Sequence, residues 1–231
     1  MKAKTIMKFN AAIASSLLLT TVANAAVVGL YEGIGLGESA ITMDNPFKKN
    51  STSDFPYTNT TTQNRGLAGK LFAGYNFNQY VGLELSYGIY AKRTDKGTFI
   101  EEDYYSISIS NESFQHEISA LSLVGKAYLP IQQTFNVYAL GGISEVFQTL
   151  KYTSYKFEED AYHMLSYPTS SSKTKHALRP IYGIGASYDV NTRVTTGLEF
   201  SRIQGRGNTN TSPTAIPSAN LLTLTAAYNF G

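Results

Sequence analysis

Hydrophobic residues recur at every second position in eight separate stretches of this chain, the period of a strand with one apolar and one polar face. The clearest stretch covers residues 67–77, where Leu67, Leu71, Ala73, Tyr75 and Phe77 share one face and Lys70 and Asn76 the other. After Asn78-Gln79 the alternation resumes, with Val81, Leu83, Leu85, Tyr87 and Ile89 against Glu84, Ser86 and Gly88. Further on, Leu121, Leu123, Ala127 and Leu129 alternate with Ser122, Lys126 and Tyr128, and a short turn at 130–134 leads into 135–147. Tyr182, Ile184, Ala186, Tyr188 and Val190 form another apolar row. It turns at Asn191-Thr192 into Val194, Thr196, Leu198 and Phe200, with Glu199 on the opposite face. The last stretch carries Leu222, Leu224, Ala226, Tyr228 and Phe230; the first, 27–39, alternates Gly33, Gly35 and Gly37 with Ile34 and Leu36.

The connections are as informative as the strands. Three are short, around Asn78, Gln132 and Asn191, and four are long, roughly 41–64, 92–116, 148–176 and 204–218. The long ones are rich in Ser, Thr, Asn and charge, so they read as irregular loops that cannot bury enough apolar area to fix themselves. Strict alternation of long and short connections is the layout of an all-β, eight-stranded antiparallel up-and-down transmembrane β-barrel, with four long loops at one end and short turns at the other. Each stretch is near the ~9–11 residues that a tilted strand needs to cross a bilayer. In lipid every backbone N–H and C=O must be paired inside the protein, so such strands cross only as a closed ring. Tyr75, Phe77, Phe135, Tyr188, Tyr228 and Phe230 all fall at the short-turn ends, where a girdle at headgroup level belongs.

The N-terminus stands apart. Lys2, Lys4 and Lys8 precede a twelve-residue, mostly apolar run at 11–22, and Ala23-Asn24-Ala25 supplies small residues at the two positions a signal peptidase reads. That run is shorter than the ~20 residues of a membrane-spanning helix. The expected division is a cleaved signal peptide at 1–25, with Ala23 and Ala25 as the cleavage signal, and a barrel at 26–231. Removing the leader's three lysines from 19 basic residues leaves 16 against 17 acidic ones. No basic field remains to attract a phosphate backbone, so a nucleic-acid role loses its physical support. With no cysteine in the chain, disulfides, thiolate metal sites and a lipidated N-terminal cysteine are all excluded.

Candidate chemistry is sparse. Alternation turns Lys70, Glu84, Lys126 and Glu199 into the lumen, where an eight-stranded barrel has room only for side chains. Lys70 and Glu84 flank one turn at what reads as diagonal cross-strand spacing. Two lysines and two glutamates suit a neutralised plug, with a gated narrow path as the alternative. Glu32 is awkward: simple alternation points it at lipid, whereas a bulge near Gly29 or Gly33 would turn it inward. The glycines of Gly33-Ile34-Gly35-Leu36-Gly37 read as making room in the lumen, because no helix follows to complete a phosphate loop. His116, His163 and His176 lie in or beside long connections, and none has a metal-binding i, i+4 partner. No catalytic residue, metal or cofactor is assigned.

The residues resemble a known family, the small eight-stranded outer-membrane barrels similar to the transmembrane domain of outer membrane protein A. The resemblance rests on Gly74-Tyr75-Asn76-Phe77 through Gly82-Leu83-Glu84-Leu85-Ser86-Tyr87, on Lys126-Ala127-Tyr128-Leu129-Pro130, and on Tyr182-Gly183-Ile184-Gly185-Ala186-Ser187-Tyr188-Asp189 with Gly197-Leu198-Glu199-Phe200. Tyr228-Asn229-Phe230 is similar to the alternating-aromatic assembly signal of such barrels, although Gly231 follows the last ring and Thr225 stands where a glycine is usual. No cell-wall-binding domain follows the eighth strand in this sequence, so no tether to the wall is expected. Lipid A deacylases are enzymatic small barrels with a His-x-Ser strand motif; here the histidines read His116-Glu117-Ile118, His163-Met164-Leu165 and His176-Ala177-Leu178.

The resemblance implies a monomeric, non-enzymatic protein of the bacterial outer membrane with surface loops for envelope integrity, adhesion or recognition of host molecules. A low-conductance pore and a lipid-modifying enzyme are the alternatives. Implied partners are outer-membrane lipid and lipopolysaccharide, the barrel-assembly machinery and host surface molecules. N-terminal sequencing of protein purified from membranes should begin at Ala26, and unboiled samples should migrate differently from boiled ones in a detergent gel.

Overall fold

The computed structural model describes residues 26–43, 47, 59–103, 106–160, 164–206 and 216–230. Ten strands follow one another: β1 (Gly29–Thr42), β2 (Asn59–Gln63), β3 (Arg65–Asn76), β4 (Val81–Ile89), β5 (Arg93–Asp103), β6 (Ser106–Pro130), β7 (Phe135–Asp160), β8 (Met164–Asp189), β9 (Val194–Ile203) and β10 (Ser218–Asn229). Eight of them close a ring in the order β1-β3-β4-β6-β7-β8-β9-β10, and the first and last seal it through twelve paired positions from Tyr31↔Asn229 to Thr42↔Ser218. Every neighbouring pair is antiparallel.

The turns show why the chain reverses where it does. The Asn78 side chain accepts hydrogen bonds from the backbone N–H of Tyr80 (2.8 Å) and Val81 (2.9 Å). Asn191 repeats the arrangement with Arg193 (2.8 Å) and Val194 (2.9 Å). A short polar side chain that bonds its own backbone two and three residues on fixes a tight turn. The third turn, at Gln132, is held by backbone alone, Ile131 N–H to Phe135 C=O at 3.0 Å.

Outside, the ring is a belt of exposed apolar side chains, among them Leu36, Leu67, Leu71, Ile89, Leu121, Ile143, Ile184 and Leu224. The aromatic residues at the short-turn end point outward with them: Tyr75, Phe77, Tyr188, Tyr228 and Phe230 are 41–58% exposed. Glu32 faces outward too. Pairing on both sides of β1 runs one residue to one, Glu32↔Ala73 and Glu32↔Tyr228, so no bulge turns it inward.

The long connections differ from the irregular loops that their composition suggests. Residues 93–116 and 148–176 are almost wholly strand, because β6, β7 and β8, at 25, 26 and 26 residues, continue past the membrane as one sheet. β6 pairs with β4 as far as Ser119 and then with β5 from His116, while Tyr90 N–H to Ile118 C=O (3.0 Å) bridges the change of partner. With β2 added at the side of β5, a raised sheet stands above the barrel in the order β2-β5-β6-β7-β8. Its face above the lumen has a small core of its own: Phe47, 4% exposed, lies against Phe114 (ring centroids 5.5 Å), and Phe114 against Tyr152 (4.8 Å). Those rings, and the Thr, Tyr and Ile content of the segment, supply the strand preference that a Ser-rich composition hides. Most of the other two connections, 44–46, 48–58 and 207–215, lies outside the described residues, as does the leader.

Candidate functional site: the charged layer and the mouth of the barrel

Inward-facing positions of β3, β4, β6 and β9 bring Lys70, Glu84, Lys126 and Glu199 together in the lumen, each at most 6% exposed. Lys70 Nζ lies 2.6 Å from Glu199 Oε1 and 3.3 Å from Glu84 Oε1. Lys126 Nζ bonds Glu84 Oε2 and lies 3.5 Å from Glu199 Oε2. The four form a ring of alternating charge, neutral as a whole. Two tyrosines complete it: Tyr31 donates to Glu84 (3.1 Å) and Tyr138 to Glu199 (2.9 Å). Lys70 also sits over the Phe72 ring and Lys126 over Tyr138, both at 4.8 Å.

Lys70 and Glu84 are not diagonal neighbours, contrary to their reading from the sequence. The register sets Glu84 opposite Gly74 and Lys70 opposite Gly88, four residues apart on the strand, and the long side chains close the gap along the lumen. Glycine makes this layer possible: a Cβ on Gly74 would lie 2.3 Å from the Tyr31 ring, and one on Gly185 2.3 Å from the Tyr138 ring. Neither tyrosine was singled out from the sequence, although simple alternation from Leu30 and Glu32 places Tyr31 in the lumen.

Above this layer the lumen is mainly apolar, with a buried hydrogen bond between Ser122 and Ser144 (2.9 Å) in its wall. Ile41, Ile118, Val146, Ile181, Ile203 and Leu221 pack in its outer half, each 6% exposed or less. Among the described residues the interior voids are small, about 10 Å³ at the charged layer and about 50 Å³ at the short-turn mouth.

A second polar cluster closes the outer mouth. Arg93 holds Asp95 with two hydrogen bonds, Nε to Oδ2 at 2.7 Å and Nη2 to Oδ1 at 3.0 Å. The same guanidinium reaches the C=O of Met43 (2.9 Å), and Thr62 donates to Asp95 (2.7 Å), so one ion pair ties β1, β2 and β5 together. Beside it, the Gln148 amide donates to Nδ1 of buried His116 at 2.8 Å, which requires a neutral ring. His176 is on the outer wall, 3.4 Å from Glu145 and stacked on Phe147, and His163 lies outside the described residues. The two described histidines, His116 and His176, lie on opposite faces of the wall, one buried and the other exposed. No cluster with metal-ligand composition occurs among the described residues.

The profile of the OmpA-like transmembrane domain family matches residues 25–231. The chain belongs to this family. Its place is therefore the bacterial outer membrane, crossed by β-strands. An uncharacterized protein of Coxiella burnetii is 28% identical over 211 residues, covering 79% of each chain. Outer membrane protein A of Klebsiella pneumoniae is 26% identical over 180 residues, 77% of this chain and 45% of that protein, so the family member described here spans about half the length of that relative. Among solved structures, Ail of Yersinia pestis aligns with a TM-score of 0.46 at 15% identity, covering 88% of this chain and 99% of Ail. The N-terminal β-barrel domain of Pseudomonas aeruginosa OprF aligns with a TM-score of 0.46 at 13% identity, covering 88% and 98%.

Two predictions follow from the polar layers. Glu84→Ala leaves both lysines on Glu199 alone, and one buried positive charge without compensation typically costs about 3–5 kcal/mol. Glu101→Ala, at an exposed position of β5, should stay within about 0.5 kcal/mol. Urea unfolding in detergent or liposomes measures both, and a stable Glu84→Ala barrel with altered current in a planar bilayer would replace a structural role by a conducting one.

Burial pushes the His116 pKa from its ordinary 6.5 down to about 4, opposed by Asp95 and reinforced by Arg93. The unfolded chain then binds a proton between pH 6.5 and 4 that the folded one refuses. The stability tied to this residue is complete above pH 6.5 and is lost as the pH falls towards 4, by about 2–3 kcal/mol. Melting temperature followed from pH 7 to pH 4 should fall accordingly, and His116→Gln should flatten that dependence.

Proposed function

We propose that this barrel is a non-enzymatic, monomeric surface-recognition protein whose raised sheet takes up an extended, acid-bearing segment of a partner along the free edge of β8. The observation that carries this reading is the pairing of β8. Among the described residues it bonds β7 on one side only from Met164 to Arg179, because β9 joins at Pro180 and Ile181. That leaves roughly 50 Å of unpaired strand edge, a template for strand addition. Positions 166–174 are exposed on both faces. The edge carries Lys173, Lys175 and Arg179 and no acid. Partial burial, and then repulsion from Lys173, holds Lys175 below the ordinary lysine range, and an anion arriving there would offset the repulsion. Pro168 sits within this strand, as the one-sided pairing allows.

The partners this reading carries are host surface molecules at the edge, lipopolysaccharide around the barrel, and the assembly machinery that would read Tyr228 and Phe230. A narrow pore is disfavoured by the apolar residues that fill the lumen above the charged layer. Catalysis is disfavoured because His116 is bonded to Gln148 under cover of the raised sheet while His176 faces outward.

Thr149 faces Thr174, so joining them by an Asn-Gly turn removes the upper hairpin without touching the ring. The shortened protein should still assemble and show heat-modifiable migration. Cells displaying it should lose at least tenfold in adhesion to host-cell monolayers and serum-protein coatings, relative to cells with the full chain. A tag at Ser171 of the full chain should label on intact cells. Undiminished adhesion by the shortened form would reject the reading.

A further inference from the structure

Two shallow depressions mark the lipid-facing wall. One, about 710 Å³, crosses β10, β1, β3 and β4 between Ile34, Leu71, Leu85, Tyr87 and Tyr228. The other, about 620 Å³, crosses β6 to β9 between Leu129, Val137, Ile184, Leu198 and Phe200. Both exist for the same reason: alanines stand among large side chains, Ala73 and Ala226 in the first, Ala127, Ala139 and Ala186 in the second. The second presents only apolar side chains apart from the edge of Tyr138 and suits an acyl chain without preference for its headgroup. The first contains Glu32.

Glu32 is exposed on the outer wall, and among the described residues it has no hydrogen-bond or ion-pair partner. A carboxylate on the lipid face is unfavourable, and an ionisable group in that position points to a partner of opposite charge. Aromatic rings surround it. The register puts Tyr228 directly opposite, with Tyr75 and Phe230 diagonal to it, and these rings meet their neighbours edge to face, Tyr75 with Phe77 at 5.4 Å and Tyr228 with Phe230 at 5.0 Å. A carboxylate beside aromatic rings selects a cation. The position is the short-turn end of the barrel, inside the aromatic girdle, where headgroups lie. A ligand that satisfies all three conditions carries an ammonium group next to an acyl chain.

We propose that Glu32, with Tyr75, Tyr228 and Phe230, forms a headgroup site for an aminophospholipid whose acyl chain lies in the adjoining groove. The ammonium donates hydrogen bonds to the carboxylate, and an anionic headgroup is repelled from the same place. Glu38 supplies the internal contrast. It also faces outward from β1, but its cross-strand neighbours are Leu67 and Leu222, and it borders neither groove. The site is independent of whatever the raised sheet binds.

The test uses the mature chain refolded in nanodiscs with equal amounts of phosphatidylethanolamine and phosphatidylglycerol. After transfer to detergent, the retained lipids are counted by native mass spectrometry. Phosphatidylethanolamine should be retained over phosphatidylglycerol by about tenfold, the scale of one charge-assisted contact. Glu32→Gln removes the charge and Ala73→Leu fills the groove; each should bring the ratio close to one. Glu38→Gln should leave it unchanged. Parity in the parent chain, or a preference that survives Glu32→Gln in a barrel with native heat-modifiable migration, overturns the proposal. Should Glu32→Gln fail to fold, Ala73→Leu in a folded barrel decides the matter in the same way.

Discussion

Backbone hydrogen bonding without water is the constraint from which the rest of this architecture follows. Inside a bilayer an unpaired N–H or C=O costs several kcal/mol, so no ring strand may have an open side within the lipid. The β1–β10 ladder meets this requirement by joining the chain's first strand to its last. Closure sets the bore, the bore admits only side chains, and the interior must then be solved as a packing problem. Above the membrane the constraint lapses. There, among the described residues, β8 is paired on one side only, and water can satisfy the backbone groups along its other edge.

The interior solves its packing problem in two ways at two heights. Four charges cancel in pairs at the level of Glu84 and Glu199, and each carboxylate has a tyrosine hydroxyl to satisfy a further lone pair. Farther out, isoleucines from β1, β6, β8 and β9 fill most of the bore, and the buried serines among them are bonded, Ser122 to Ser144 and Ser39 to the Ala91 N–H. An ion pair buried under an apolar lid is costly to open, because its members would have to be separated without water to receive them. The lumen is thus filled by packing and charge balance, and three of the strands that line it also carry the raised sheet above.

The ring was legible in the sequence because lipid enforces alternation. Leu67 to Phe77 and Leu222 to Phe230 can point apolar side chains only outward, and their period is plain. The raised sheet was hidden because its strands have water on one or both faces, so Ser166 to Thr174 show no period. One signal was there to be used, Ser106-Ile107-Ser108-Ile109-Ser110, which alternates as strictly as any membrane strand. The apolar lumen was equally invisible: Ile118, Ile181 and Ile203 read as extra hydrophobicity in strands already apolar on their outer side. The contact of Lys70 with Glu199 joins positions 129 residues apart and depends on ring closure, which no local pattern specifies. Glu32 was left with two orientations because a bulge is a register fault, and register appears only once both neighbours of β1 are in place.

β6, β7 and β8 run unbroken from the short-turn end of the barrel to the top of the raised sheet, and that continuity has a mechanical meaning. A force on the edge of β8, directed away from the cell, runs along the strands and is shared by the β7–β8 ladder, which extends from Phe135↔Tyr188 to Glu159↔Met164. Its hydrogen bonds lie across the pull and are loaded in parallel, as in shear, so none can fail first and let the others unzip. The membrane-embedded half of each strand serves as the anchor for its exposed half. No break in these three strands separates their exposed half from the wall in the membrane.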